Sequence, residues 1–202
     1  MKKKYWLILL ILILAIGGIT IFYKKSTKNS KIGNNRNSQE IVDYILNLSS
    51  YEVKITVDII SNKNNNKYII IQKFQTPNIS TQEVIEPSNI AGTKIINDGI
   101  NLKIENSNLN LSTILENYTY LGNNCLDLST FIEEYKTNKE SNYKENENEI
   151  IMQTKSKLDN IYINTKKLYI DKKTQKLTKM EKQDNKQKNR INILYNEVKI
   201  NN

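Results

Sequence analysis

The sequence predicts an α+β protein built on one large, strongly curved antiparallel sheet, with helices covering its concave face and one transmembrane helix before it. Three observations lead to this fold class. Short segments of alternating apolar and polar residues recur along the chain, hairpin-length turns separate them, and only two segments of the domain carry apolar residues at helical spacing. Because the apolar face of such a sheet must be covered, the two helices are its predicted cover.

The N-terminal segment predicts a membrane anchor. After a short tail of residues 1–4, residues 5–23 are uncharged and mostly apolar, and Lys24 and Lys25 follow them. A run of this length is close to the roughly 20 residues that span a bilayer as a helix. The alternative is a cleaved signal peptide, but the run is longer than the usual apolar core of one, and bulky residues stand where small ones precede a cleavage site.

Residues 24–38 are polar and contain Gly and several Asn, which predicts a flexible linker. The folded domain is predicted over 39–202. Its first helix follows Ser38, a fair N-cap, and places Ile41, Val42 and Ile45 on one side.

The next segments predict strands. YEVKITVDII alternates strictly, YIIIQKFQ follows a polar turn and stops before Pro77, and ISTQEVIE stops before Pro87. TKIINDGINLKIE is predicted as a hairpin, because Asn97-Asp98-Gly99 supplies residues that tolerate a positive φ between two apolar runs.

The second half is less regular at first. NLNLSTILENYTYLG is predicted to be irregular or a short helix, and DLSTFIEEYKTN to be a helix that Asp127 caps. The acidic run from Glu140 to Glu149 is interpreted as a solvated loop. ENEIIMQTK, IYINTKKLYID and the final meander predict further strands, for roughly nine or ten in all. In the last strand, Ile191, Ile193 and Tyr195 share one face.

The composition excludes most catalytic chemistry. The chain has no histidine and one cysteine, Cys125, so a Ser-His or Cys-His nucleophile is impossible. It has no glycine-rich phosphate loop and no calcium loop. We therefore expect a protein that is not an enzyme, with no catalytic residue, no cofactor and no metal. The formal charge is +9, but the lysines are dispersed without an arginine-rich patch, so no nucleic-acid binding is expected.

Three segments of the chain and their order resemble the LolA/LolB/RseB superfamily of exported proteins. The segments are YIIIQKFQTPN, VIEPSNIAGTKIINDG and the C-terminal meander that begins LYIDKKTQKLTKM. The resemblance covers about residues 40–201 and implies a half-barrel sheet with helices in its concavity. In the meander the matching residues are Leu168, Ile170, Asp171, Thr174, Leu177, Asp184, Ile191, Tyr195, Val198 and Asn201.

Within that superfamily the chain is most similar to the GerS family of clostridial spore germination lipoproteins. The resemblance implies a non-enzymatic protein that binds and supports a cortex-modifying N-acetylmuramoyl-L-alanine amidase in spore formation and germination. The chain departs from that family because no lipobox cysteine follows its apolar run. A transmembrane anchor would serve the same tethering purpose.

The resemblance also selects the orientation in the membrane. Lysines flank the apolar run on both sides, so charge alone is nearly balanced. We expect a single-pass membrane protein with an extracytoplasmic C-terminal domain.

Two classes of function compete. In the first, the domain binds another envelope protein through a sheet edge or the outer sheet face. Its candidate contact residues are Tyr118, Tyr120 and Tyr143, since tyrosine is enriched at interface hot spots, and the alternative is that they pack on the domain itself. In the second, the concavity carries or senses a lipid or lipoprotein ligand. An anchored carrier would be unable to leave the membrane, and aliphatic core positions indicate a filled concavity, so the first class is favoured. An envelope stress-sensing protein of the RseB type remains a third hypothesis.

Overall fold

The computed structural model describes residues 36–61, 64–118, 126–156, 164–184 and 190–201. Residues 37–202 form one compact unit. The predicted anchor at 5–23 and most of the predicted linker lie outside the described residues. Within the described ranges, no helix combines the length and the apolar character that a bilayer crossing requires.

The described residues contain eleven strands in a single open antiparallel sheet and two α-helices. The strand order across the sheet is β6-β5-β4-β3-β2-β1-β11-β10-β9-β8-β7, so β6 and β7 are its two edges. The strands are β1 (Ser50–Ile60), β2 (Asn65–Gln75), β3 (Ile79–Glu86), β4 (Lys94–Asn97), β5 (Leu102–Asn106), β6 (Leu111–Leu115), β7 (Asn142–Glu145), β8 (Glu149–Lys155), β9 (Thr165–Asp171), β10 (Leu177–Gln183) and β11 (Arg190–Asn201). The helices are α1 (Ser38–Leu46) and α2 (Leu128–Thr137), with one 3₁₀ turn over Ser107–Leu109.

The first and last strands pair with each other at the centre of the sheet. β1 lies between β2 and β11, with Val57 opposite Ile193 and Ile55 opposite Tyr195. Because side chains alternate along a strand, Tyr51, Val53, Ile55 and Val57 share one face, which we call the inner face. All four are buried, whereas Leu194 on the outer face is 43% exposed.

Helix α1 begins as the spacing of its apolar residues predicts, but one residue earlier. Asn37, and not Ser38, is the N-cap, and it forms a capping box with Glu40. The asparagine oxygen satisfies a backbone N–H that the first helical turn leaves free. Ile41, Val42 and Ile45 are buried in the same apolar cluster as the inner face.

Helix α2 covers the same face. Leu128, Phe131 and Ile132 are buried in the core cluster, as their spacing predicts. Asp127 stands at the N-cap position, but its side chain makes no capping hydrogen bond. The large open antiparallel sheet with two helices against one face confirms this part of the predicted fold class for the domain.

Two segments differ from the prediction. The segment predicted as irregular or a short helix contains the 3₁₀ turn and then β6, which pairs with β5. The acidic loop predicted between Glu140 and Glu149 contains β7, which forms a hairpin with β8. Both strands are short and lie at the edges, where only one neighbour reinforces their alternation.

Candidate functional site: a sheet edge and an inner-face cleft

The centre of the inner face is filled by side chains. Ile55, Met152, Leu168 and Met180 have no exposed surface, and Phe131 of α2 is equally buried among them. Such packing leaves few voids larger than a water molecule. This part of the sheet is a core and not a ligand cavity.

Towards β3 the inner face becomes polar and holds the start of α2. The Gln82 amide donates to the Asp127 carboxylate, and the Gln72 amide donates to the Leu126 carbonyl at 3.2 Å. The backbone N–H of Ser129 donates to the Tyr51 hydroxyl at 3.1 Å. Side chains of the sheet therefore tie down the helix end that Asp127 does not cap.

Two buried tyrosines stand beside this helix end. Burial raises the pKa of the Tyr51 hydroxyl well above its usual range, and the Asp127 carboxylate adds to that shift. Burial also raises the pKa of Tyr195, with Tyr51 and Asp127 contributing. No described residue hydrogen-bonds the Tyr195 hydroxyl. Both phenols stay neutral over the physiological range, and neither is placed to act as a base.

Under the second half of α2 lies a buried ionic cluster. Lys166 and Lys182 are opposite one another on β9 and β10, and they are 1% and 0% exposed. The Lys166 ammonium forms an ion pair with Glu134 of α2, and the Ser156 hydroxyl donates to the same carboxylate at 3.2 Å. The ion pair between Lys166 and Glu134 therefore links α2 to β9 of the sheet.

A cleft of about 430 Å³ lies beside the filled centre of the inner face. Leu46, Leu48, Phe74 and Ile132 supply its apolar part. Its polar part comes from turn, strand and α2 side chains: Thr76, Asn78, Ser80, Asn97, Ser129, Thr130, Glu133 and Lys136. An acyl chain in this cleft would lie against hydroxyl and amide groups, with which it forms no hydrogen bonds.

The two edges of the sheet differ in chemistry. The β7 edge has the sequence Asn-Tyr-Lys-Glu, and Glu145 forms an ion pair with Lys172 at 3.0 Å. Short length and charged side chains are the usual protection of an exposed edge. The β6 edge has the sequence Leu-Ser-Thr-Ile-Leu, which carries no charge and no proline, and all five residues are exposed.

Large aliphatic side chains concentrate around the β6 edge. Leu111, Ile114 and Leu115 of the strand are 42%, 58% and 39% exposed, and the neighbouring Leu109 is 53% exposed. Ile100, in the turn between β4 and β5, is 64% exposed. The backbone N–H of Asn117 donates to the Asn101 side chain at 3.2 Å, which holds the end of β6 beside that turn. We call β6 with these residues the β6 edge.

The structure describes two of the three predicted contact tyrosines and places them in different parts of the domain. Tyr118 is half-buried shortly after β6, and Tyr143 of β7 packs against the domain's own core cluster. Tyr120 lies outside the described residues. The sequence interpretation missed the β6 edge, although the alternation of Leu109, Leu111, Thr113 and Leu115 is a signal of strand structure. Within the described ranges, no cluster of three His, Cys, Asp or Glu side chains has the arrangement of a metal site.

No protein-family model and no curated protein matches the chain. Solved structures do match. A conserved uncharacterized protein of Thermus thermophilus aligns with a TM-score of 0.52 and 11% identity, over 83% of this chain and 89% of that one. One chain in the structure of the CwlD amidase in complex with the GerS lipoprotein from Clostridioides difficile aligns with a TM-score of 0.47 and 22% identity, over 85% of this chain and 96% of that one. A LolA superfamily protein of Nitrosomonas europaea aligns with a TM-score of 0.43 and 10% identity, over 83% and 95%.

The Thermus thermophilus protein, at a TM-score of 0.52, shows that the fold of this chain is shared with a solved structure. At these identities the likeness concerns the fold alone. The function has to be argued from the surfaces of this chain.

Proposed function

We propose that this protein is a non-enzymatic, membrane-anchored component of the cell envelope that binds another protein along the β6 edge. The observation that carries the proposal is an exposed edge strand with no charge and three large aliphatic side chains. Native sheets usually protect such edges, because an unprotected edge pairs with other chains. The opposite edge, β7, is charged, so we explain the unprotected β6 edge as a binding surface.

Strand addition explains how such an edge binds. Backbone N–H and C=O groups of an extended partner segment pair with those of β6 and supply affinity. Alternate side chains of the segment then meet Leu111 and Leu115 on the inner side and Ile114 on the outer side, which supplies selectivity. We expect the docking segment to be extended and uncharged, with aliphatic residues at alternate positions.

We propose a cell-wall N-acetylmuramoyl-L-alanine amidase as the partner class. The support for this class is the resemblance of the sequence to the GerS family. The apolar run at 5–23 would anchor the chain, and the polar linker at 24–38 would leave the domain free to meet a partner outside the cytoplasm.

The carrier hypothesis has less support. A lipid or acylated ligand needs an open apolar cavity. The centre of the inner face is filled, and the cleft beside it is lined by Ser80, Asn97 and Thr130 as well as by apolar groups. We therefore place the lipid ligand second to a protein partner.

The test is a titration, monitored by calorimetry, of the full-length protein in detergent with the amidase encoded by the same genome. Ile114→Lys adds a charge to the β6 edge, and Leu194→Lys is the matched control, since Leu194 is an exposed aliphatic residue on a central strand. We expect at least tenfold weaker binding for Ile114→Lys and wild-type binding for Leu194→Lys.

Equal affinity of the two variants would reject the β6 edge, and no binding by the wild type would reject the amidase as partner. Native mass spectrometry of the same preparation addresses the carrier hypothesis. A lipid that co-purifies in stoichiometric amount, and that is lost when Thr130→Phe fills the cleft, would favour a carrier over a protein-binding module.

A further inference from the structure

Three buried side chains around the inner-face cleft have hydrogen-bonding groups that the domain leaves unused. Ser80 is 7% exposed, Asn97 3% and Thr130 7%, and all three line the cleft. Within the described part of the chain, no residue pairs with the hydroxyls of Ser80 and Thr130 or with the NH2 group of Asn97. Buried polar groups are hydrogen-bonded as a rule, because burial has removed their contact with bulk water. These three groups therefore point to a polar ligand in the cleft.

Backbone pairing fixes the positions of these groups. On the inner face, Phe74 of β2 lies opposite Ser80 of β3, and Ser80 lies opposite Asn97 of β4. Side chains directly opposite one another in antiparallel strands are about 4.5–5.5 Å apart, so a phenyl ring, a hydroxyl and an amide form one row. Thr130 belongs to α2, which packs on the same face. The cleft therefore presents uncharged polar groups from the sheet and from the helix.

Contacts within the domain hold this row in place. The ring of Phe74 stacks on Tyr51 with 5.3 Å between the centroids, and the Tyr51 hydroxyl accepts from the backbone N–H of Ser129 at 3.1 Å. The side-chain oxygen of Asn97 accepts from the backbone N–H of Gly99 at 2.9 Å. That bond occupies the oxygen of the amide and leaves its NH2 group to donate. Side chains that are fixed in advance lose less conformational entropy when a ligand binds.

Charge and polarity restrict the class of ligand. Among the described residues that line the cleft, the charged ones are Glu133 and Lys136, which have opposite sign and lie one turn apart on α2. An ionic ligand would therefore meet no net charge. Leu48 and Ile132 add apolar surface beside the three buried polar groups. A sugar ring combines these properties, because it is neutral, has C–H groups on its faces and has hydroxyls around its edge.

The individual polar groups narrow the class further. The hydroxyls of Ser80 and Thr130 can each donate and accept, as sugar hydroxyls do. The NH2 group of Asn97 only donates, so it requires an acceptor such as a carbonyl oxygen. An acetamido substituent on the sugar supplies that carbonyl, and its methyl group suits the apolar part of the cleft.

We propose that the inner-face cleft binds a neutral N-acetylated hexosamine, whose hydroxyls pair with Ser80 and Thr130 and whose acetamido carbonyl accepts from Asn97. The cleft volume of about 430 Å³ lies within the range of small-molecule sites. The proposal uses no residue of the β6 edge and does not depend on the proposed function.

Binding of a defined disaccharide tests the site in the full-length chain. The protein is placed in nanodiscs of phosphatidylcholine, which contain no sugar, and is titrated with N,N′-diacetylchitobiose under saturation-transfer NMR. We expect saturable binding, with the strongest transfer to the acetyl methyl groups. Cellobiose has the same rings without the acetamido groups, and acetyl-alanyl-alanine amide has amides without a sugar. Both should bind at least tenfold more weakly.

The monosaccharide N-acetylglucosamine distinguishes two sources of the ligand. Tighter binding of the disaccharide than of the monosaccharide supports a unit of a glycan chain, and equal binding supports the free sugar.

Side-chain changes locate the site. Thr130→Val keeps the shape of the side chain and removes its hydroxyl. Thr81→Val is the matched control, because Thr81 follows Ser80 in β3 and its side chain is therefore on the outer face. We expect Thr130→Val to weaken binding of the disaccharide about three- to tenfold, the effect of one hydrogen bond, and Thr81→Val to leave it unchanged. Thr130→Phe should abolish binding by filling the cleft, and urea unfolding checks that each variant is folded.

Three results would overturn the proposal. No binding of the disaccharide would show that the cleft holds water only. Equal binding of cellobiose or of the blocked dipeptide would show that the cleft does not select an acetamido sugar. Equal affinity of Thr130→Val and Thr81→Val would place the sugar elsewhere on the protein. None of these measurements involves an amidase or the β6 edge, so their failure is distinguishable from failure of the proposed function.

Discussion

Replacement of Glu134 by glutamine should destabilise the domain severely. Glu134 is 2% exposed and pairs with Lys166, which is 1% exposed, while Lys182 lies opposite Lys166 on the neighbouring strand. Glutamine keeps the size of the side chain but removes its charge. The ammonium of Lys166 then stays buried beside a second buried ammonium without its carboxylate.

The magnitude follows from the burial of the pair. Removing one member of a buried ion pair costs about 3–5 kcal/mol, because the remaining charge has lost its solvent and its partner. Solvent screening does not reduce this figure, since both side chains are almost inaccessible. For a domain of this size, each kcal/mol lowers Tm by about 2–4 °C, so the expected decrease is about 6–20 °C.

Urea unfolding followed by circular dichroism measures the effect. Glu140→Gln is the matched control, because its ion pair with Lys155 is 66% and 52% exposed and contributes about 0–1 kcal/mol. The double change Glu134→Leu with Lys166→Met should recover most of the loss, because it removes both charges and keeps the volume. A loss below about 1 kcal/mol for Glu134→Gln, or no recovery in the double variant, would refute the reasoning.

Three further predictions concern buried hydroxyls and one turn. Tyr195→Phe should leave the free energy of unfolding unchanged or raise it by up to about 1–3 kcal/mol, because it removes a buried hydroxyl that no described residue bonds. Tyr51→Phe should lower it by about 1 kcal/mol, because the backbone N–H of Ser129 loses its acceptor, and urea unfolding compares the two variants. Backbone N–H groups of Asn101 and Ile100 lower the pKa of Asp98 below its ordinary 3.8. The stabilising effect of the Asp98 carboxylate is therefore present above about pH 4 and disappears as the pH falls through the lowered pKa. The Tm difference between wild type and Asp98→Asn should shrink over that range, and a constant difference would contradict the prediction. Gly99 has a φ of +94°, so Gly99→Ala should cost about 1–2 kcal/mol in urea unfolding, and a neutral result would contradict the assigned turn.

Local patterns predicted the long central elements well. The alternation of β1 identifies its buried face, and the spacing of Leu128, Phe131 and Ile132 identifies the face of α2. These elements are long enough for their period to be visible, and they are buried on one side only. Asp98-Gly99 likewise predicted its hairpin, because turn chemistry is local.

The candidate site was predicted less well. β6 and β7 are only five and four residues long, and too few alternations stand in such strands to separate them from loops. The burial of Lys166 and Lys182 also escaped prediction. A lysine in an alternating strand is normally placed on the solvent face. Lys166 lies inside because Glu134 reaches it from another element, and alternation within β9 holds no information about that contact.

The sequence by itself determined which of the longer segments are strands and helices, which face of each of these is apolar, and that histidine chemistry is impossible. These properties depend on neighbouring residues and on composition. The tertiary structure alone decided that β1 pairs with β11, that β6 and β7 become the edges, and that an uncharged strand lies at one of them. Strand order arises from pairing between distant segments, and alternation within one strand holds no information about its neighbours.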